Sequence, residues 1–306
     1  MKRLIVIYFI FIFIFQICIE SQKVYAKTRG ISSLRIGIGG RAVGMGEAFS
    51  AVSEGAISTY WNPAGLVGTN GTELETAHNQ WLFDVTSEFV SFASKFNNYA
   101  WGLSFYYTDL GKIEARTYRN EKDPIGVFSA NDVIIGTSFA KEINKKFNFG
   151  LTIKYVYEKI YIESASGFAF DLGAKYYVFE DILCAGFVIK NVGFMDKMRD
   201  KKLSLPTAYR LGVMYDVSNI FNKKDFLIVS SDYEILPDYK GNLMIGAEVK
   251  INNNFALRSG YQSGFQNRNF CGGVGLGFNI LKIDYGFTPF SSELGNTHRF
   301  SIKFNW

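Results

Sequence analysis

Residues 147–158 have the sequence FNFGLTIKYVYE, in which bulky apolar residues alternate with smaller, polar or charged ones. A period of two is the pattern of a β-strand whose two faces meet different surroundings. One face here carries rings and branched chains, whereas the other includes Asn148, Gly150, Lys154 and Glu158. The stretch therefore predicts a strand with a strongly apolar face and a polar face that contains glycine.

The same alternation recurs along the chain and predicts fourteen strands. The predicted strands lie near residues 72–82, 87–96, 99–108, 131–142, 146–161, 166–179, 182–190, 206–216, 225–236, 241–251, 254–262, 271–279, 281–290 and 297–306. Most approach the roughly 9–11 residues that cross a bilayer when a strand is tilted, and bacterial outer-membrane barrels have an even strand number. The sequence therefore predicts an all-β fold, a transmembrane antiparallel β-barrel of about 14 strands over residues 72–306.

The connections between these segments form a second pattern. Tight turns such as Asn97-Asn98 alternate, for the most part, with longer connections at 109–130, 191–205, 263–270 and 291–296. The alternation fails at the short 83–86 and 237–240 loops and at the long 217–224 turn. Short periplasmic turns alternate with longer outer loops in such barrels, so an even strand number places both chain ends on the periplasmic side.

A secreted β-sandwich also alternates, but the distribution of rings argues against it. Bulky rings take one face of the segments, while glycines share the other face with Lys154, Asp171, Lys175, Arg210, Glu248, Arg258, Asp284 and Lys303. One sandwich core cannot hold the rings of fourteen strands, whereas lipid can. The last segment presents Phe300, Ile302, Phe304 and Trp306 outward, which we interpret as a membrane-assembly signal for the barrel-assembly machinery.

The amino terminus has the features of a cleaved signal peptide over residues 1–26. Lys2 and Arg3 precede an apolar stretch at 4–19, and cleavage is expected after Ala26. A membrane anchor is disfavoured because a spanning helix needs about 20 apolar residues. The sequence therefore predicts export to the outer membrane of a Gram-negative-type bacterium, where outer-membrane lipids surround the barrel.

Composition excludes several other classes of protein. The chain has 306 residues, of which 17% are aromatic and only 20% are charged. A disordered protein has few aromatic residues and a high net charge. The net charge of +5 comes with no basic run, which argues against nucleic acid as a partner. Cys184 and Cys271, the cysteines beyond the signal peptide, form neither a disulfide framework nor a metal cluster.

Residues 27–71 differ in composition and pattern from the rest, because they lack the regular alternation and are rich in glycine. Eight strands enclose an interior filled by side chains, whereas 16–18 strands leave an aqueous channel. A barrel of about 14 strands would therefore leak unless something fills its lumen. Irregular backbone is tolerated at membrane depth when it lies inside protein, so this region is predicted to be a hatch, or plug, inside the barrel.

Two motifs in this region carry a family resemblance. Residues 37–52 read GIGGRAVGMGEAFSAV, and residues 60–66 read YWNPAGL. Both resemble the N-terminal segment of the PorV/PorQ group, which are outer-membrane barrels similar to the long-chain fatty-acid transporter FadL. The resemblance implies a hatch inside a fourteen-stranded barrel, in agreement with the strand count. The chain is shorter than the fatty-acid transporters and has smaller predicted outer loops.

The candidate hatch or gating residues come from these motifs. They are Arg41, Gly44, Met45, Gly46, Glu47, Phe49, Asn62, Pro63, Ala64, Gly65 and Leu66. A residue before proline is pushed out of the helical region, so Asn62 predicts a kink, either purely structural or able to gate a passage. Arg41 and Glu47 are charges in a segment expected to be buried, and each is predicted to pair with the other or with charges of the wall.

Three cations are candidates for the lumen: Lys154, Arg210 and Arg258. They could attract a carboxylate, although inward acids such as Asp171 and Glu248 are expected to neutralise them. The 191–205 connection mixes apolar and basic residues, which fits either an amphipathic outer lid or an ordinary solvated loop.

The sequence offers no catalytic or metal-binding motif, so a non-enzymatic protein without a cofactor is predicted. The glycine-rich stretch at 37–46 lacks the third glycine and the βαβ unit of a dinucleotide-binding fingerprint. His78 and His298 are expected near each other where the first and last strands close the barrel, but no nucleophile is marked out beside them.

Two functions remain open. The resemblance to the fatty-acid transporter implies that the barrel passes or binds a hydrophobic small molecule. The resemblance to PorV implies instead a component of type IX secretion that docks exported proteins at the outer membrane. The partner is accordingly a hydrophobic small molecule or an exported protein.

Overall fold

Fourteen strands close into one antiparallel barrel in the computed structural model, which describes residues 30–116, 123–179, 182–218, 226–237, 241–251 and 254–306. The barrel strands are β1 (Thr72–Gln80), β2 (Thr86–Phe96), β3 (Tyr99–Ala115), β4 (Gly126–Asn144), β5 (Phe147–Ile160), β6 (Glu163–Phe179), β7 (Leu183–Met195), β10 (Ala208–Asp216), β11 (Leu227–Ile235), β12 (Asn242–Ile251), β13 (Phe255–Ser263), β14 (Phe270–Phe278), β15 (Leu281–Pro289) and β16 (Asn296–Asn305). A two-stranded hairpin outside the barrel has β8 (Lys197–Met198) and β9 (Lys201–Lys202). The predicted signal peptide lies outside the described residues.

Each barrel strand pairs with its neighbours in the chain, and the first and last strands close the ring. The closure is antiparallel and sets Glu73 opposite Asn305 and Gln80 opposite His298. The predicted antiparallel barrel of fourteen strands is therefore confirmed.

The two faces of the wall differ as the alternation predicts. Inward Asp171 and Lys175 are fully buried, whereas outward Phe149 and Phe300 are exposed. A sandwich would bury its rings in a core, so the exposed rings fit a wall that faces lipid.

Two predicted loops were wrong in part. In the 109–130 connection the sheet continues, because β3 and β4 pair as far as Ala115 and Gly126, with a register shift between Asp109 and Lys112. In the 191–205 connection β7 runs on to Met195 and the hairpin β8–β9 follows. Strands above the bilayer face water on their outer side, so they need no apolar face and the alternation that predicts a strand fades there.

The N-terminal segment, residues 30–71, packs against the inward face of the wall. It contains a 3₁₀ turn (Ser32–Arg35), the short helices α1 (Gly40–Gly44) and α2 (Ser58–Trp61), and a second 3₁₀ turn (Pro63–Gly68). Helix α1 contacts β13 to β16, while the second turn contacts β2 to β6. No helix among the described residues has the length and apolarity needed to cross a membrane.

The two cysteines of the barrel are buried, free thiols on strands that are not neighbours. Cys184 lies on β7 and Cys271 on β14. We expect the mature chain to take up two maleimide labels after denaturation without reductant, and to migrate identically on gels with and without reductant. Labels taken up only after reduction would contradict this expectation.

Candidate functional site

The kink at Asn62 is held by hydrogen bonds to both sides. Its backbone is extended, and its side-chain oxygen accepts a hydrogen bond from the amide of Ala64 at 3.1 Å. Its side-chain nitrogen donates to the carbonyl oxygen of Ser50 at 2.7 Å and to that of Ala174, on β6, at 3.2 Å. The kink therefore joins two parts of the N-terminal segment to the wall.

Four pairs of facing glycines line the inward side of the wall where the N-terminal segment touches it. The pairs, which we call the glycine belt, are Gly150 with Gly173, Gly186 with Gly212, Gly246 with Gly260, and Gly273 with Gly286. The backbone of Pro63 and Ala64 lies against Gly150, and that of Met45 and Gly46 lies against Gly260. Any side chain at these positions would overlap the segment, so the belt allows two backbones to approach closely.

Helix α1 is attached to the wall by an ion-pair network. Arg41 donates two hydrogen bonds to Glu248, both 2.8 Å long. Glu248 also accepts one from Arg258 at 2.6 Å, and Arg258 pairs with Asp284 at 2.7 Å. Bidentate arginine–carboxylate pairs have a fixed geometry, so the network sets the position of the helix. Arg41 thus pairs with the wall and not with Glu47.

Glu47 also pairs with arginines outside the segment. Its carboxylate lies 3.2 Å from Arg268 in the β13–β14 loop and 3.8 Å from Arg210 on β10. Arg210 donates to the backbone carbonyl of Glu47 at 3.2 Å and to the carboxylate of Glu234 at 2.8 Å. Glu47 therefore links the segment to an outer loop and to the wall.

The remaining candidate residues have packing or ion-pair contacts. Phe49 packs edge-to-face on Trp61 with ring centroids 5.8 Å apart, and Leu66 packs in a cluster formed by neighbours in the segment and by alanines of the wall. Lys154 pairs with Asp171 at 2.5 Å and donates to Asn191 at 2.9 Å. The other candidates of the motifs are buried in the segment: Gly44, Met45, Gly46, Pro63, Ala64 and Gly65.

A cavity of about 790 Å³ lies between the N-terminal segment and the outer loops. Tyr60 and Trp61 of the segment line it from one side, and Trp81, Phe265 and Phe290 of the loops line it from the other. Its volume is within the range of small-molecule sites, roughly 300–1,000 Å³. Of the candidate residues predicted from sequence, Glu47 and Arg210 line this cavity.

Lys190 is the most unusual charge of the cavity. It is only 4% exposed, and its ammonium lies 3.8 Å from the ring centre of Tyr60 and 5.4 Å from that of Trp61. Among the described residues it forms no ion pair within 4 Å, and its ammonium instead lies against aromatic faces. Further charged groups of the lining are Arg35, Arg210, Arg268, Glu47 and Glu234, which leaves the cavity with an excess of cations.

The sequence did not single out Lys190 or the aromatic residues of the loops. The alternation of β7 does place Lys190 on the inward face. That signal cannot distinguish it from inward lysines that have an acid opposite them, because the opposite residue depends on register.

The two histidines lie close to the barrel closure but have different partners. His78 contacts Glu88 at 2.5 Å, and His298 contacts the hydroxyl of Tyr285 at 2.7 Å. The register sets His78 opposite Phe300. No group of three metal-ligating side chains occurs within the described part of the chain. Phe300, Ile302, Phe304 and Trp306 are exposed on the outer face, where an assembly signal is expected.

Solved structures with the same fold are outer-membrane channels. The CymD monoaromatic hydrocarbon channel is 13% identical, with a TM-score of 0.66 over 88% of this chain and 98% of that one. The Pseudomonas putida toluene transporter TodX is 12% identical, with a TM-score of 0.65 over 86% of this chain and 98% of that one. A Pseudomonas aeruginosa FadL homologue is 11% identical, with a TM-score of 0.59 over 93% of this chain and 100% of that one. These likenesses show the fold.

Sequence comparison identifies the family. No curated protein matches this chain. The family model described as type IX secretion system protein PorV matches residues 19–237, which is more than two thirds of the sequence. With its closed barrel and exposed outer rings, the protein is an outer-membrane β-barrel, and the chain belongs to the PorV family.

Proposed function

We propose that this barrel binds or passes a hydrophobic small molecule through the cavity, without chemistry, and that the N-terminal segment is its hatch. The observation that carries the proposal is the cavity itself, which has aromatic side chains on two sides and about 790 Å³ of space. An apolar pocket with a few polar groups is the usual form of a small-molecule site. The hydrocarbon channels CymD and TodX have the same fold, which supports this choice.

The charged side chains of the cavity indicate the chemical class of the ligand. Lys190 is buried with no carboxylate of the described residues within 4 Å, and burying an unpaired charge is unfavourable. A ligand with an apolar body and one anionic group would satisfy both the aromatic surfaces and the ammonium. We therefore expect an anionic amphiphile to bind more tightly than a neutral molecule of the same size.

This expectation can be measured with 11-(dansylamino)undecanoic acid and its methyl ester as fluorescent probes. The acid is expected to bind the purified barrel more tightly than the ester. A hydrogen bond to a charged group contributes about 1.5–3 kcal/mol, so Lys190→Gln should raise the Kd of the acid roughly tenfold or more. The Kd of the ester should change little.

Lys159→Gln is the matched control, because this exposed lysine lies outside the cavity. Equal affinities for acid and ester, or an unchanged Kd in Lys190→Gln, would contradict the ligand class. A native mass spectrum of the chain extracted from its own outer membrane tests the wider proposal. An added mass of a few hundred daltons that is lost on delipidation supports a bound small molecule.

The family match favours a second candidate, a PorV-like role in type IX secretion that docks exported proteins. The same mass spectrum separates the two. A stoichiometric protein adduct would favour docking, whereas a small added mass would favour the cavity. Both roles use an outer-membrane barrel without catalysis.

A further inference from the structure

The ladder between β6 and β7 contains a β-bulge next to the cavity. Its register shifts between Phe170 and Leu172, so Asp171 faces two residues of β7 instead of one. These two residues are Lys190 and Asn191, and Asn191 has a φ of 58°, a left-handed conformation that asparagine tolerates. Their side chains are 4% and 2% exposed, because the bulge turns two successive side chains into the barrel. Both residues line the cavity.

The carboxylate of Asp171, which faces the bulge, is engaged by groups other than Lys190. Its Oδ1 atom accepts a hydrogen bond from the backbone amide of Asn191 at 2.7 Å. Its Oδ2 atom lies 2.5 Å from the ammonium of Lys154, which also donates to the side-chain oxygen of Asn191 at 2.9 Å. Lys154 and Asp171 are 3% and 0% exposed, so water screens this ion pair little. Lys190 thus lies beside an acid whose charge is already compensated.

A second acid near Lys190 is compensated in the same way. Asp171 and Glu234 are the two acids that attract Lys190 most strongly. Glu234 forms an ion pair with Arg210 at 2.8 Å. Lys154 and Arg210 therefore take one acid each and repel the third cation, Lys190. A buried ammonium in this position is stabilised by an anion that enters the cavity.

We propose that Lys154 is a positioning residue that makes the cavity select an anionic ligand. Lys154 does not line the cavity, so it acts through Lys190. By holding the carboxylate of Asp171 at the bulge, it leaves the ammonium of Lys190 available to the ligand. If Asp171 paired with Lys190 instead, its charge would repel an anionic ligand and its oxygens would compete for the same donors. This role rests on the proposed function, the binding of an anionic amphiphile in the cavity.

The Kd values of 11-(dansylamino)undecanoic acid and its methyl ester, measured on the purified barrel, test this role. Lys154→Met removes the ammonium but keeps an unbranched side chain, so Asp171 is expected to pair with Lys190. The Kd of the acid should then rise about tenfold, as for the loss of one hydrogen bond to a charged group, while the Kd of the ester stays unchanged. Lys154→Met/Asp171→Asn also removes the released carboxylate, so it should bring the Kd of the acid back to the parent value.

Lys303→Met is the matched control, because Lys303 also pairs with an acid, Glu73 at 3.4 Å, but lies outside the cavity. Both of its Kd values should equal those of the parent. An unchanged Kd of the acid in Lys154→Met would overturn the role of Lys154, as would a rise that Asp171→Asn does not reverse or an equal rise for the ester. In these cases a parent that prefers the acid still supports the proposed function. Equal binding of acid and ester by the parent would overturn both.

Discussion

Replacing Glu47 with alanine is expected to destabilise the barrel by about 3 kcal/mol and to raise its ion conductance. Glu47 is buried and pairs with Arg268 of an outer loop and Arg210 of the wall. Removing one member of a buried ion pair leaves the other charge uncompensated, which costs about 3–5 kcal/mol. Arg210 keeps Glu234, so the loss falls mainly on Arg268, and the N-terminal segment loses its link to the β13–β14 loop.

The unfolding midpoint in guanidinium measures the stability of this variant, and planar-bilayer recordings measure its conductance. Glu114→Ala is the matched control, because Glu114 also pairs with an arginine, Arg116, at 2.8 Å, but both side chains are 52% exposed. An exposed pair contributes about 0–1 kcal/mol, so this variant should unfold and conduct like the parent. Equal changes in stability and conductance for the two substitutions would show that Glu47 does not hold the N-terminal segment in place.

Valine at position 150 is expected to displace the kink that follows Asn62. A Cβ on Gly150 would overlap the backbone of Pro63 and Ala64. Backbone atoms cannot move aside as the end of a flexible side chain can. Overpacking typically lowers stability by about 1–3 kcal/mol, so part of the N-terminal segment should lose its packing against the wall. We therefore expect Gly150→Val to assemble as a barrel but to show higher ion conductance and faster cleavage of the segment by added protease.

Gly126→Val is the control for this substitution. Gly126 is also on a strand, yet nothing lies within 4 Å of the Cβ that a side chain would add there. It should therefore behave like the parent in both assays. If Gly150→Val conducts ions and resists protease as the parent does, the glycine belt is not needed to hold the N-terminal segment against the wall.

The local pattern of the sequence was enough to predict the strands of the barrel wall. Alternation along residues 147–158 and its counterparts predicted fourteen strands and their inward and outward faces, because a strand turns every second side chain to the same side. It failed where β3 and β4 extend above the membrane, since no apolar face is needed there. The Asn62-Pro63 kink was also predicted locally, because proline restricts the residue before it.

The tertiary structure decided which groups meet. Arg41 pairs with Glu248, 207 residues away, and no local pattern chooses between that acid and Glu47. The alternation placed Gly150 on the inward face, but only the tertiary structure shows that the backbone of Pro63 and Ala64 packs against it. Lys190 lies against the rings of Tyr60 and Trp61, with no carboxylate of the described residues within 4 Å, because of the register of β7 with its neighbours. Faces follow from the period of one strand, which the sequence alone determines, whereas ion pairs and cavities depend on register and closure across the whole barrel.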